Sequence, residues 1–167
     1  EATVARGGKV IATEDVLSHA PAHAFADRYP DAMIVCGEGE TCDLRILAQS
    51  QSKDGLSLSL TWQGGTYEFT VPIFGTHQIT NIALVFAVAC AYGADPESVV
   101  LALKSTPQIT HRFEVKPGPN GAALVDDAYN SNPEGFASAL EALDILVGSD
   151  GRRILATPGM VELGEAH

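Results

Sequence analysis

Apolar and polar residues alternate with a period of two in the middle of the chain. Leu56, Leu58, Leu60 and Trp62 are separated by Ser57, Ser59 and Thr61, and Tyr67, Phe69 and Val71 by Glu68 and Thr70. Gly64-Gly65 lies between the two runs, so the pattern predicts a hairpin with one apolar and one polar face. Residues 43–48 predict a third antiparallel strand. Upstream, residues 9–12 and 32–36 read as short strands and residues 21–28 as a short helix. Beyond Pro72 and Gly75 the pattern becomes helical. Residues 76–92 are apolar nearly all round, which predicts a buried helix, with Thr76 as its N-cap and Gly93 as its terminator. Asp95-Pro96-Glu97 opens another helix, Asp as N-cap and Pro in the first turn.

A polar stretch with a helix-breaking proline, Lys104-Ser105-Thr106-Pro107-Gln108, follows. Beyond it, residues 113–115 and 122–125 read as strands around a turn at 117–121. Asn132-Pro133-Glu134 repeats the helix-start signature, and Phe136, Leu140, Leu143 and Val147 recur at helical spacing as the expected buried face. Residues 153–157 read as a strand ending at Pro158-Gly159. Strand, helix and strand in that order predict a parallel α/β unit. The chain thus changes style near residue 108, with a mixed or antiparallel sheet and helices over 1–108 and the opening of an α/β domain over 109–167.

Composition narrows the function classes. The chain has 167 residues, 46% apolar and 19% charged, with a net charge of −11. That balance argues against binding nucleic acid or anionic lipid through bulk charge. Local phosphate binding through backbone N–H groups stays open. Cys36, Cys42 and Cys90 form no CxxC pair and are odd in number, which disfavours a disulfide framework or a tetrahedral metal site and fits a reducing compartment. The longest apolar run, residues 82–92, is far short of the roughly 20 residues a membrane-spanning helix needs. The chain opens at Glu1 rather than Met and closes at His167 just after a dense motif, which predicts a piece of a longer protein.

Four constellations could carry chemistry. Gly75-Thr76-His77-Gln78-Ile79-Thr80-Asn81 runs into the apolar helix. It reads either as simple capping or as a ligand-facing helix start, with His77 and Asn81 on one face at i, i+4, Asn81 offering both donor and acceptor to a nucleobase edge. In His111-Arg112-Phe113-Glu114, the arginine is either a surface ion-pair partner or a fork for phosphate or carboxylate. Asp126-Asp127-Ala128-Tyr129-Asn130-Ser131-Asn132-Pro133 ends an apolar strand, where open α/β sheets bind ligands. Helix capping explains Asn132 and Pro133, but not Asp126, Asp127, Tyr129 and Asn130 together. The fourth, from Thr157 to Glu165, is weak alone. No GxxxxGK[ST] phosphate loop occurs.

In this order, Gly75-Thr76-His77…Asn81, His111-Arg112-Phe113-Glu114, Asp126 to Pro133 and Pro158-Gly159-Met160-Val161-Glu162-Leu163-Gly164-Glu165 resemble the Mur ligase family of ATP-dependent amide-bond ligases. The last two pieces point to the branch that adds D-alanyl-D-alanine to a UDP-N-acetylmuramoyl-tripeptide. The resemblance is strongest over residues 72–167. It implies the end of a P-loop ATPase-type central domain with an antiparallel hairpin over 1–108, followed by the start of a Rossmann-like C-terminal α/β domain over 109–167. It implies a cytoplasmic, monomeric enzyme of peptidoglycan precursor synthesis that works through an acyl phosphate. Its cofactors are ATP and Mg²⁺, held mainly by groups outside this chain, so that the isolated piece is inactive. Its partners are a nucleotide, a UDP-muramoyl-peptide and D-Ala-D-Ala, with no nucleic acid and no membrane.

Position by position, the resemblance assigns Asn81 to the adenine, with His77 opening the same cofactor-binding motif, Arg112 to the ATP phosphates near the domain junction, and Asp127 to the ribose and the hinge. Tyr129, Asn130 and Asn132 fall where the amino substrate approaches, and no residue is assigned to a metal. Gln78 stands where many members have Asn, and Thr157-Pro158-Gly159 replaces the commoner Leu-Gly-Asp. Two alternatives stay open: another ligase of the family, extending glutamyl chains or modifying lipid-linked precursors, or a non-catalytic folding or interaction module.

Overall fold

A computed structural model describes residues 2–129, 133–149, 151–157 and 159. A mixed five-stranded sheet is built from β1 (Val10–Thr13), β2 (Met33–Gly37), β3 (Leu44–Ser52), β4 (Gly55–Trp62) and β5 (Gly65–Val71), in that spatial order. β1, β2 and β3 pair in parallel, β3, β4 and β5 antiparallel. The short helix α1 (Ala20–Arg28) connects β1 to β2.

The predicted hairpin forms in the expected register, Leu58 opposite Phe69 and Leu60 opposite Tyr67. Its turn lies one residue earlier than Gly64-Gly65. Gln63 and Gly64 both take positive φ, 49° and 84°, as a two-residue turn that matches strand twist requires, and Gly65 already belongs to β5. β3 is longer than the predicted strand and carries a bulge between Ile46 and Ala48. The bulge resets the alternation, so Gln49 and Gln51 stand opposite Leu58 and Leu56, on the apolar face of β4. That places the Gln51 carbonyl to accept a hydrogen bond from the Gly75 N–H at 2.7 Å.

Two helices cover this face, α2 (Gln78–Ala91) and α3 (Pro96–Lys104). α2 buries Ile79, Ile82, Ala83, Phe86 and Ala87. Phe86 is fully enclosed, its ring 5.4 Å from Tyr67 and 6.3 Å from Phe69. The helix expected to be buried all round is in fact one-faced. Val85 and Tyr92 are 55% and 80% exposed, because among the described residues only the sheet and α3 pack against α2. Thr76 is not its N-cap. His77 takes that position without a capping side chain, and the Thr76 hydroxyl turns elsewhere. Asp95 caps α3 as predicted, its carboxylate accepting the Ser98 N–H at 3.0 Å.

Past the polar stretch, β6 (Glu114–Pro117) and β7 (Ala123–Asp126) form an antiparallel ribbon beside α4 (Pro133–Val147). A second, smaller apolar cluster joins Phe74, Phe113 and Ala142 to Val115, Val125, Ala139 and Leu146. Residues 153–157 are not a strand. They engage neither edge of the ribbon, Ile154 is 76% exposed, and the parallel α/β unit expected around α4 does not form among the described residues. The buried face of α4 is turned about one residue from the predicted one. Ser138, Ala139, Ala142 and Leu146 face inward, while Leu140 is 38% exposed. Small side chains let the helix approach closely, and that outweighs the extra area of Leu140.

Candidate functional site

The first three constellations gather around the second apolar cluster. Phe74, just before Gly75, packs its ring 5.5 Å from that of Phe113, just after Arg112. The loop before α2 and the loop before β6 are therefore tied by one aromatic pair, worth about 0.5–1.5 kcal/mol beyond its area burial.

The loop before α2 is shaped by Gly75, whose φ of +93° suits glycine and where a Cβ would lie 2.6 Å from the His77 ring. From there the chain enters α2 with His77 and Asn81 both exposed. The Asn81 amide nitrogen donates to the Gln78 carbonyl at 3.0 Å, and the other Gln78 amide atom lies 3.0 Å from His77 Nε2. An open cleft of about 470 Å³, lined by Gln49, Ser50, Thr76, His77, Ile79 and Thr80, lies beside them. Its volume is in the range of small-molecule sites.

The second and third constellations are clasped together. His111 and Phe113 take left-handed backbone, φ 61° and 51°, which costs about 1–2 kcal/mol each for residues with a Cβ. Each strained residue is held. The His111 N–H donates to Glu114 at 3.2 Å, and the Phe113 N–H donates to Asp127 Oδ1 at 3.0 Å. The His111 carbonyl accepts the Tyr129 N–H at 3.1 Å. Between the two left-handed residues, Arg112 points outward with its guanidinium carbon 4.3 Å from the centre of the Tyr129 ring. Strain compensated by several fixed contacts is a common property of sites that hold a group in place.

Beside the clasp, His111 Nδ1 lies 2.8 Å from Asp126, and Lys116 lies 2.8 Å from Glu114 and 3.5 Å from Asp126. The His111 hydrogen bond holds the Asp126 carboxyl below its ordinary value. The Lys116 hydrogen bond does the same for Glu114, and Lys116 in turn is raised by Glu114. His111, Glu114 and Asp126 place ligand atoms within 4.8 Å of one another. The donor set does not suit Mg²⁺, because the Lys116 ammonium already occupies both carboxylates and Mg²⁺ keeps to carboxylate, phosphate and water oxygens.

Of the residues singled out in the sequence, Arg112, Asp127 and Tyr129 are thus brought together, and His77 and Asn81 share the start of α2. Asn130 and Asn132 lie outside the described residues, as does the fourth motif apart from Thr157 and Gly159. Asp126, singled out in the sequence as part of the third constellation, anchors His111. One contributor has no sequence motif, Ser138 of α4, which contacts both Thr76 and His77. A serine between alanines inside an apolar helix was the available signal.

In fold, the chain resembles the Mur ligases. It superposes on a UDP-N-acetylmuramoylalanyl-D-glutamyl-2,6-diaminopimelate–D-alanyl-D-alanyl ligase from Acinetobacter baumannii with a TM-score of 0.67 and 19% identity, over 80% of this chain and 29% of that one. A MurF ligase from Thermotoga maritima in complex with ADP matches with a TM-score of 0.58 and 21% identity, over 82% and 31%. In sequence, it is similar to the UDP-N-acetylmuramoyl-tripeptide–D-alanyl-D-alanine ligase of Mycobacterium leprae, 35% identical over 115 residues, 62% of this chain and 22% of that protein. No family model matches the chain. The chain spans about a quarter of the length of the curated relatives it matches. Among the described residues, no helix is long and apolar enough to cross a membrane.

Proposed function

We propose that this chain is part of an ATP-dependent amide-bond ligase of peptidoglycan precursor synthesis, which joins D-alanyl-D-alanine to a UDP-N-acetylmuramoyl-tripeptide. The observation that carries this reading is the clasp that presents Arg112 beside Asp127 and Tyr129, in a chain with sequence similarity to such ligases. Residues 1–108 are read as the end of the central ATPase domain and 109–167 as the start of the C-terminal one; the first apolar cluster lies within 1–108, and the second joins Phe74 to residues beyond 109. The enzyme is read as cytoplasmic and monomeric.

The chemistry balances in two steps. A carboxylate oxygen of the peptide attacks the γ-phosphorus of ATP, and ADP leaves, giving an acyl phosphate. The amine of D-Ala-D-Ala then attacks the acyl carbon. The carbon–oxygen bond to phosphate breaks, phosphate leaves and the amine loses a proton. In this scheme Asn81 contacts the adenine, and His77 opens the same cofactor-binding motif beside it. Arg112 offers its planar fork to the transferring phosphoryl group, where fixed positive charge stabilises the transition state. Asp127 holds the Arg112 loop through the Phe113 N–H and reaches the ribose. Tyr129, Asn130 and Asn132 face the incoming amine. Mg²⁺, when bound, neutralises phosphate charge and is held by groups outside this chain.

The test is phosphate release by the full-length protein with ATP and UDP-muramoyl-tripeptide. Release that depends on D-Ala-D-Ala and is not supported by L-glutamate fits the proposal. Release driven by glutamate instead moves the protein to another ligase class, and no release with any amine sinks the reading. The 167-residue chain alone carries no P-loop and is expected neither to hydrolyse ATP nor to bind it tightly. Submicromolar ATP binding in calorimetry would contradict that.

A further inference from the structure

Ser138 is the one buried polar residue among the described residues, 7% exposed. Its Oγ lies 3.2 Å from the Thr76 nitrogen, 3.4 Å from Thr76 Oγ1 and 3.3 Å from His77 Nδ1. From His77 the polar contacts continue. Nε2 lies 3.0 Å from the Gln78 amide nitrogen, and the Gln78 carbonyl lies 3.0 Å from the Asn81 amide nitrogen.

Donor counting gives this chain a direction. An amide nitrogen only donates, so Gln78 donates to His77 Nε2. The ring proton then sits on Nδ1 and is donated to Ser138 Oγ. Ser138 also accepts the Thr76 N–H, which fills both its lone pairs, and its own proton goes to Thr76 Oγ1. At the other end, Asn81 gives one N–H to Gln78. Asn81 is exposed, and its carbonyl oxygen and second N–H make no hydrogen bond among the described residues, so both are open to a ligand.

We infer that Ser138 is a positioning residue, which acts through His77 and Gln78 to fix the amide of Asn81 and so the hydrogen-bonding edge that α2 offers to a purine. An open carbonyl next to an open N–H fits a 6-aminopurine, which donates from its exocyclic amine and accepts at N7. A 6-oxopurine sets an acceptor against that carbonyl. The purine part rests on the ligase reading above. Because Ser138 belongs to α4 and Asn81 to α2, base selection is coupled to the docking of the second apolar cluster on the first.

Two-bond ¹H–¹⁵N correlations of the histidine rings in this chain report the tautomer directly. The wild type is expected to show His77 protonated on Nδ1. Ser138→Ala and Gln78→Leu, which remove the two partners, shift it towards Nε2–H. Ser138→Thr, which keeps the hydroxyl, retains the wild-type form. An Nε2–H ring in the wild type, or an unchanged tautomer in Ser138→Ala, overturns the inference.

In the full-length protein, Ser138→Ala is expected to lower the KM preference for ATP over ITP about 2- to 12-fold, the range of one net hydrogen bond. Rescue by Ser138→Thr supports positioning. An equal loss with both nucleotides, not rescued, overturns it in favour of a purely structural role. If neither nucleotide is used while the tautomer responds as expected, the ligase reading fails and the Ser138–His77 arrangement stands.

Discussion

Asp127 is the residue through which the clasp can be tested most sharply. Its Oδ1 accepts the Phe113 N–H at 3.0 Å in a half-buried setting, and Phe113 itself is 6% exposed against Phe74. Asp127→Ala removes a charged acceptor and leaves that N–H without its partner. A hydrogen bond to a charged group contributes about 1.5–3 kcal/mol. At about 1.4 kcal/mol per factor of ten, exchange of the Phe113 amide should quicken roughly 10- to 150-fold. Asp127→Asn keeps a neutral carbonyl in place and should cost about 1 kcal/mol or less, quickening exchange only about 5-fold. The assay is amide hydrogen exchange at neutral pH, with amides of β4 as an internal reference that should not change. A Phe113 amide as protected in Asp127→Ala as in the wild type would refute the idea that Asp127 holds the Arg112 loop.

Other expectations follow from the same geometry. Arg112→Ala in the full-length protein should lower turnover far more than stability, because the side chain is exposed and touches only the Tyr129 ring among the contacts described; equal losses in turnover assays and urea melts would contradict this. Phe86→Ala should cost about 3–5 kcal/mol in urea unfolding, the range for emptying a buried aromatic site, since Phe86 is fully enclosed between β5 and the rest of the core. Asp126 and Glu114 are depressed from their ordinary values of 3.8 and 4.5, so their stabilisation is complete above those values and is lost as pH falls through the lower folded ones. Lys116 is raised from 10.5, so its contribution holds below that value and is lost as pH climbs past it; urea melts run across the acid and alkaline ranges, wild type against Lys116→Met, check both limbs. Burial pushes the Cys36 thiol to about 12, and burial with the Glu14 carboxylate pushes Cys42 to about 11, so both should resist alkylation at pH 7.5, where rapid labelling would contradict the packing.

Much of the larger sheet was legible because its strands expose one face, and period two survives in the sequence wherever that holds. The hairpin was read to within one residue at its turn. The turn falls one residue before the glycine pair because it needs positive φ at both central positions, and Gln63 adopts it beside Gly64. The bulge at Leu47 was not legible, since one extra residue in β3 is decided by how β3 and β4 meet. Apolarity all round residues 76–92 said that the helix packs somewhere, but not that only one face is covered. In α4, side-chain size and burial part company. Helical spacing favoured the large Leu140, while close approach to the loop before α2 selected Ser138, Ala139 and Ala142. Residues 153–157 have strand composition, but composition supplies no neighbour to pair with.

At the site, polar residues at the ends of apolar segments stood out, and the structure brings Arg112, Asp127 and Tyr129 together. What the sequence hid were the supports. Ser138 carries no pattern of its own, and the pairing of His111 with Asp126 depends on two left-handed residues that no local propensity favours.

The central claim is that the full-length protein makes an amide through an acyl phosphate. It is tested most directly by labelling both oxygens of the UDP-muramoyl-tripeptide terminal carboxylate with ¹⁸O and analysing the phosphate released in the presence of ATP and D-Ala-D-Ala. One labelled oxygen in each phosphate, matched by one amide formed, is the predicted result. Phosphate released without label, or no phosphate at all, would contradict it.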